Sequence, residues 1–244
     1  MNGLRIALSF LTVLPVGPRG PWPGLGPALP YFPLVGLIIG LTLMGADLAI
    51  AGLLGPYGRA AVTVALWAAL TGGLHLEGLA DAADGLLASR PAQERLEIMR
   101  DPAVGAFGTA AVGLVLLLKF GLLTDLSGQT SRPALAVAPL AARHGVLAPM
   151  GLFPYARPEG LGQGLKRRAV RAFAAAALPV LAVGYLLAGP AALAATGLAL
   201  GAGLGLGLFA RRRLGGLTGD VYGAIIELGE VFVLAGFAAW EGLR

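Results

Sequence analysis

Apolar residues run down this chain in seven long stretches, at about 33–54, 58–76, 107–123, 134–151, 170–188, 191–209 and 223–240. A helix needs about 20 apolar residues to cross a hydrocarbon core, so each stretch predicts a membrane span. Gly55-Pro56 and Gly189-Pro190 punctuate two tight connections, where glycine frees the backbone and proline opens a new helix. A further apolar run, Leu4 to Val16, is too short to span. It carries one early arginine, and Pro15, Pro18, Pro21 and Pro23 follow it instead of a small-x-small cleavage motif. This predicts a retained helix lying in, or dipping into, the interface. The expected architecture is therefore all-α: one integral-membrane bundle over 1–244, with about seven spans and an N-terminal interfacial or re-entrant helix.

Composition sharpens that picture. A hydrophobic content of 57% with only 13% charged residues excludes an ordinary soluble domain, and the mean hydropathy of +0.78 agrees. A pI near 10.1 would suggest nucleic acid in a soluble protein. Here the basic residues sit in short loops between apolar runs, which follows the positive-inside rule and needs no nucleic acid. With a cytoplasmic N-terminus, Arg5, Arg19, Arg90, Arg95, Arg100, Arg157, Lys166, Arg167, Arg168, Arg171 and Arg211 to Arg213 all fall inside. Only Arg59, Arg132 and Arg244 fall outside. The expected orientation puts the chemistry on the cytoplasmic face of the membrane. There is no cysteine, which excludes thiolate metal sites and thiol nucleophiles.

The charge that remains is concentrated. In TGGLHLEGLADAADG (71–85), Glu77, Asp81 and Asp84 recur at spacings of four and three, on one face of a helix. Each ionised group costs roughly 2.5–3.5 kcal/mol at a bilayer centre, and three cost about 8–10. A divalent cation at the membrane–water boundary would offset this. Carboxylate oxygens suit Mg²⁺, which takes one or two carboxylates plus waters and substrate phosphates. A solvated helix end paired with nearby arginines is the bland alternative. His75 falls off the carboxylate face of an ideal helix; it is a general base or an interfacial hydrogen-bonding residue.

Downstream, RLEIMRDPAVGAFG (95–108) offers Arg100 for a phosphate, and Asp101 either as a further metal ligand or as a cap for the next helix. LTGDVYGAIIELGE (217–230) sets Asp220, Glu227 and Glu230 on one helical face as it enters a span. Lys119 and Arg143 lie inside spans, where charge is a functional candidate by default. Arg143 and Lys119 either contact substrate or pair with Glu227 and Glu230. Gly201 and Gly205 have the spacing of a helix-packing motif, although among 39 glycines that spacing arises readily by chance.

A metal held by carboxylates at a membrane surface suits attack on a phosphoanhydride, with basic residues holding the nucleotide and a carboxylate or His75 deprotonating an alcohol. Residue spacing takes the argument to a membrane phosphotransferase. LTGGLHLEGLADAADG, RLEIMRDPAVGAFG, the Lys119-Phe120 pair and GLTGDVYGAIIELGE resemble the cobalamin synthase family, the adenosylcobinamide-GDP ribazoletransferases. The early LPV and PYFPLVGLIIG segments extend the resemblance along nearly the whole chain. One departure is Glu77, where many relatives are expected to carry Asp.

The resemblance implies that α-ribazole, or its 5′-phosphate, attacks adenosylcobinamide-GDP through a ribose 3′-hydroxyl. GMP leaves, and adenosylcobalamin or its 5′-phosphate forms. It implies Mg²⁺ at Glu77, Asp81 and Asp84 with Asp220, catalysis by His75, Asp81 and Asp84, and substrate contacts from Arg100, Asp101, Lys119, Arg143 and Glu227. The lipid bilayer is the other partner, and association with further enzymes of the late cobamide pathway is open. Two competitors are weaker. A CDP-alcohol phosphotransferase would carry DG-x₂-AR and a G-x₃-D-x₃-D tail, but Leu86-Leu87-Ala88-Ser89 follows Asp84-Gly85 and the tail is missing. A proton-coupled transporter using Glu227, Glu230 and Lys119 would need broken midplane helices, which the pattern does not suggest.

Overall fold

A computed structural model of the chain describes residues 2–17, 24–160 and 162–243. Arg19, Arg244, Pro18, Pro21 and Pro23, used in the arguments above, lie outside the described residues. In chain order the helices are α1 (Asn2–Leu11), α2 (Phe32–Ile50), α3 (Pro56–Thr71), α4 (Leu74–Leu87), α5 (Ala92–Ile98), α6 (Ala106–Asp125), α7 (Gly128–Gly145), α8 (Leu147–Leu152), α9 (Lys166–Ala188), α10 (Pro190–Leu214) and α11 (Gly219–Gly242). Among the described residues six segments are long and apolar enough to cross a membrane: α2 with the 3-10 turn before it, α6, α7 with α8, α9, α10 and α11. Together with the bent pair α3–α4 they account for the seven expected apolar runs.

The bent pair corrects one expectation. The second span was expected to run unbroken over 58–76, but α3 stops at Thr71 and α4 leaves it at 88°. Gly72 and Gly73 cause the break, with φ of 61° and 70°. That left-handed region is open to glycine at little cost and closed to most side chains. α4, which carries the acidic motif, therefore turns away across the end of the bundle.

α7 is the central helix. From Ala134 to Gly145 every residue is buried, and α2, α9, α10 and α11 surround it. Small residues permit this closeness. A Cβ at Gly40 of α2 would stand 2.5 Å from the Ala136 carbonyl oxygen, so only glycine allows the two backbones to meet. On α10 the packing glycines are Gly203, against Ile225, and Gly207, against Phe153. Gly201 and Gly205 face nothing within 4 Å, so they pack no other described helix of this chain.

Charge is sorted to the two ends and one interior cluster. At one end Asp47 of α2 takes both Arg59 (2.9 and 2.5 Å) and Arg132 (3.3 Å), tying α2, α3 and α7 together. At the other end lie α4, the basic start of α9, the basic close of α10 and the first turn of α11. α1 packs Ile6, Ala7 and Leu11 inward there, and the Val13 amide donates to the Leu70 carbonyl at 2.9 Å.

Candidate active site

The carboxylates meet because α4 and α11 cross glycine to glycine. A Cβ at Gly78 would stand 3.0 Å from the Asp220 carbonyl oxygen, and one at Gly223 would stand 3.2 Å from the His75 carbonyl. Backbone-level contact at this crossing sets Glu77 and Asp81 of α4 beside Asp220 in the first turn of α11. All three line a cavity of about 270 Å³. Its other wall is apolar: Phe10 and Leu11 of α1, Leu25, Phe32, Val146 and Ile226. The cavity therefore has an anionic rim and an oily floor, a division typical of small-molecule sites.

Asp220 is held in place. Thr218 caps α11 by accepting the Val221 amide (3.3 Å), and its hydroxyl donates to Asp220 Oδ2 at 3.1 Å. Arg157 donates to the same oxygen at 3.0 Å. Arg157 comes from the loop after α8, which is clipped to the start of α11 by a short parallel bridge: the Leu217 amide donates to Pro154 (2.9 Å) and the Ala156 amide to Leu217 (2.8 Å). Asp81 has no such partner among the described residues. Burial, and then the negative charges of Asp220, Glu77 and Asp84, push its carboxyl up to about 6, against a smaller downward pull from Arg157.

Among the described residues no three His, Asp or Glu side chains converge as a ready-made metal cage. The donor set nevertheless fits Mg²⁺, which uses few protein carboxylates and completes its shell with water and phosphate. An acidic group whose ionisation is resisted by three like charges is a site that a cation relieves.

The other expected residues divide into three groups. Asp84 accepts the amides of Gly105 (2.8 Å) and Gly108 (2.9 Å), capping α6 from a distance; it does not line the cavity. Asp101 accepts the Ala103 amide (2.9 Å) within a turn, so it does not cap the next helix as the Asp-Pro pattern suggested. The chain needs a further turn to bring Gly105 under Asp84, and α6 starts only at Ala106. Arg100 is exposed, while Arg95 is buried and ties down the end of α4 through the carbonyls of Gly85 (3.1 Å) and Leu86 (2.6 Å).

Lys119, Arg143, Glu227 and Glu230 form one buried cluster inside the bundle. Lys119 Nζ donates to Glu227 (2.7 Å) and Glu230 (2.5 Å), and it lies 4.4 Å from the centre of the Trp67 ring. Arg143 donates to Glu230, which also accepts Trp67 Nε1 at 3.2 Å. Of the two expected roles for these charges, mutual pairing is the one seen. His75 departs from the helical-wheel expectation: it lines the same cavity as Glu77 and Asp81, because the cavity wraps around the α4–α11 crossing. Arg157 entered the sequence argument only as a loop charge. Nothing in its local sequence marks it; the bridge that delivers it is a tertiary contact.

The family model for cobalamin-5-phosphate synthase matches residues 3–238. A Stutzerimonas stutzeri (strain A1501) protein named adenosylcobinamide-GDP ribazoletransferase is 43% identical, over 99% of this chain and 100% of its own length. A Brevibacillus brevis protein of the same name is 39% identical over 96% of each. A third, from Pseudomonas putida (strain ATCC 700007), is 44% identical over 96% of this chain and 97% of its own. No solved structure matches the chain significantly.

Proposed function

The chain belongs to the cobalamin-5-phosphate synthase family, and we propose that it transfers the adenosylcobinamide phosphoryl group from adenosylcobinamide-GDP to α-ribazole or its 5′-phosphate, releasing GMP at the α4–α11 crossing. The observation that carries this site assignment is the meeting of Glu77, Asp81 and Asp220 on one cavity with an apolar floor. Mg²⁺ held by Glu77, Asp81 and Asp220 would neutralise the diphosphate, with Asp84 adding charge from the next turn of α4.

The chain's own residues supply the rest. About 270 Å³ is room for a nucleoside-sized alcohol, so the bulk of the corrinoid stays outside. The apolar floor of Phe10, Leu11, Leu25 and Phe32 takes the base, which turns the ribose toward the carboxylates. The attacking hydroxyl oxygen bonds to phosphorus as the anhydride bond to GMP breaks, and its proton passes to Asp81. In the metal-free site, burial and then the neighbouring carboxylates push that carboxyl up to about 6, and a positioned carboxylate is a competent general base. Arg157, already at the rim, is placed to receive the departing phosphate. The basic residues clustered at this end support a cytoplasmic orientation.

One assay tests both reaction and orientation. Inverted membrane vesicles holding the protein should release GMP only when adenosylcobinamide-GDP, α-ribazole and Mg²⁺ are all present, and right-side-out vesicles should not. GMP release that ignores either ribazole or the metal would refute the reaction. Equal activity in right-side-out vesicles would refute the orientation.

A further inference from the structure

His75 stands where the cavity meets the buried charge cluster. It lines the cavity, is only 3% exposed, and has its Nδ1 at 3.4 Å from Nη2 of Arg143. A guanidinium carries N–H groups and no lone pair to offer. Nδ1 must therefore present its own lone pair, and the ring hydrogen belongs on Nε2. A hydrogen on Nδ1 would point at the N–H of Arg143 instead. Arg143 has little freedom to turn away, because it is fully buried and donates to Glu230. Glu230 is itself held by Lys119 and Trp67. The far nitrogen, Nε2, is buried and finds no partner among the described residues. A buried donor left without an acceptor is rare in folded proteins, and its partner is then sought outside the chain.

We propose that His75 is a hydrogen-bond donor, through Nε2–H, to an oxygen of the nucleoside bound in the cavity, and not the base of the reaction. Glu230 and Arg143 are positioning residues that fix its tautomer. The intramembrane charges thereby gain a use besides holding helices together: they fix which ring nitrogen carries the hydrogen on a residue of the cavity wall. This rests on the transferase reading of the cavity for the identity of the ligand, but the tautomer itself does not. With the imidazole lone pair turned inward to Arg143, the proton of the attacking hydroxyl has to go to a carboxylate.

Two measurements decide it. The first is nitrogen NMR of histidine-labelled protein in detergent, with His75→Gln used to assign the signals. Nδ1 of His75 should be unprotonated and Nε2 protonated at neutral pH, and Glu230→Gln should erase that fixed preference. A hydrogen on Nδ1 in the wild type, or an unchanged spectrum in Glu230→Gln, would overturn the proposal. The second is turnover. Gln offers an amide N–H near the Nε2 position but no basic nitrogen, whereas Leu offers neither. His75→Leu should lose ~100-fold in rate, as for removal of a positioned donor, while His75→Gln should keep at least about a tenth of it. A Gln variant as inactive as Leu would mark His75 as a base, and two fully active variants would leave it no role; either contradicts the donor assignment. If the Leu variant does not fold, the Gln variant and the spectrum decide. A wild-type protein without ribazole-dependent GMP release would bring down the transferase reading, yet the spectrum would still decide the tautomer.

Discussion

Asp81 is set among negative charge from two helices, with Asp220, Glu77 and Asp84 all opposing its ionisation. Burial first, and then this charge, push its carboxyl from the ordinary value of 3.8 up to about 6. Between those two values the folded chain holds more protons than the unfolded one, so stability falls as pH rises through that window. Above about pH 6 the cost is fully present in the metal-free protein. Asp81→Asn removes it. The expected outcome is a higher melting temperature for the variant than for metal-free wild type at neutral pH, with the difference shrinking toward pH 4, and turnover reduced by ~100-fold or more. Thermal melts in chelator and a GMP-release assay check the two halves. At this scale much was legible in the sequence: Glu77, Asp81, Asp84 and Asp220 stand out against an apolar chain. Asp84's bond to the α6 amides was not, because Gly105 and Gly108 carry no mark of what approaches them.

Between elements, a few polar contacts fix how helices meet. Lys119 of α6, Arg143 of α7, and Glu227 and Glu230 of α11 balance two positive charges against two negative ones in the interior. Removing either carboxylate leaves a net buried positive charge, at a cost of about 3–5 kcal/mol for a broken buried pair. Glu230 accepts from Lys119, Arg143 and Trp67, whereas Glu227 accepts from Lys119 alone. Glu230→Gln should therefore lower the detergent melting temperature more than Glu227→Gln, and Asp220→Asn should change it least. Melts of the three variants side by side check that order; an Asp220 variant less stable than the other two would contradict it. Pairing was one of the two roles that the cost of intramembrane charge left open for these groups. The break between α3 and α4 did not follow from the sequence, because Gly72-Gly73 lies inside an apolar run and glycine is frequent throughout. Their φ values near 60–70° set them apart from the glycines inside the helices on either side.

Across the whole molecule the two charge systems are stacked. A neutral cluster deep in the bundle holds α6, α7 and α11 together, and an anionic rim on α4 and α11 opens on the cavity above it. His75 touches both. The span pattern and the sorting of arginines were readable along the chain, as hydropathy and loop charge report position along a membrane normal. The cavity was not, because its walls come from α1, α2, α4, α8, α11 and the loops beside them. The account's central claim is that this rim is where the divalent cation and the nucleotide diphosphate meet. Its most direct measurement is Mn²⁺ binding, followed by electron paramagnetic resonance, with Mn²⁺ standing in for Mg²⁺ and GDP for the nucleotide substrate. Wild-type protein should bind Mn²⁺ more tightly when GDP is present, and Asp81→Asn and Asp220→Asn should each weaken that binding on the order of tenfold or more. Mn²⁺ binding that is indifferent to GDP, and equally tight in both folded variants, would contradict the claim.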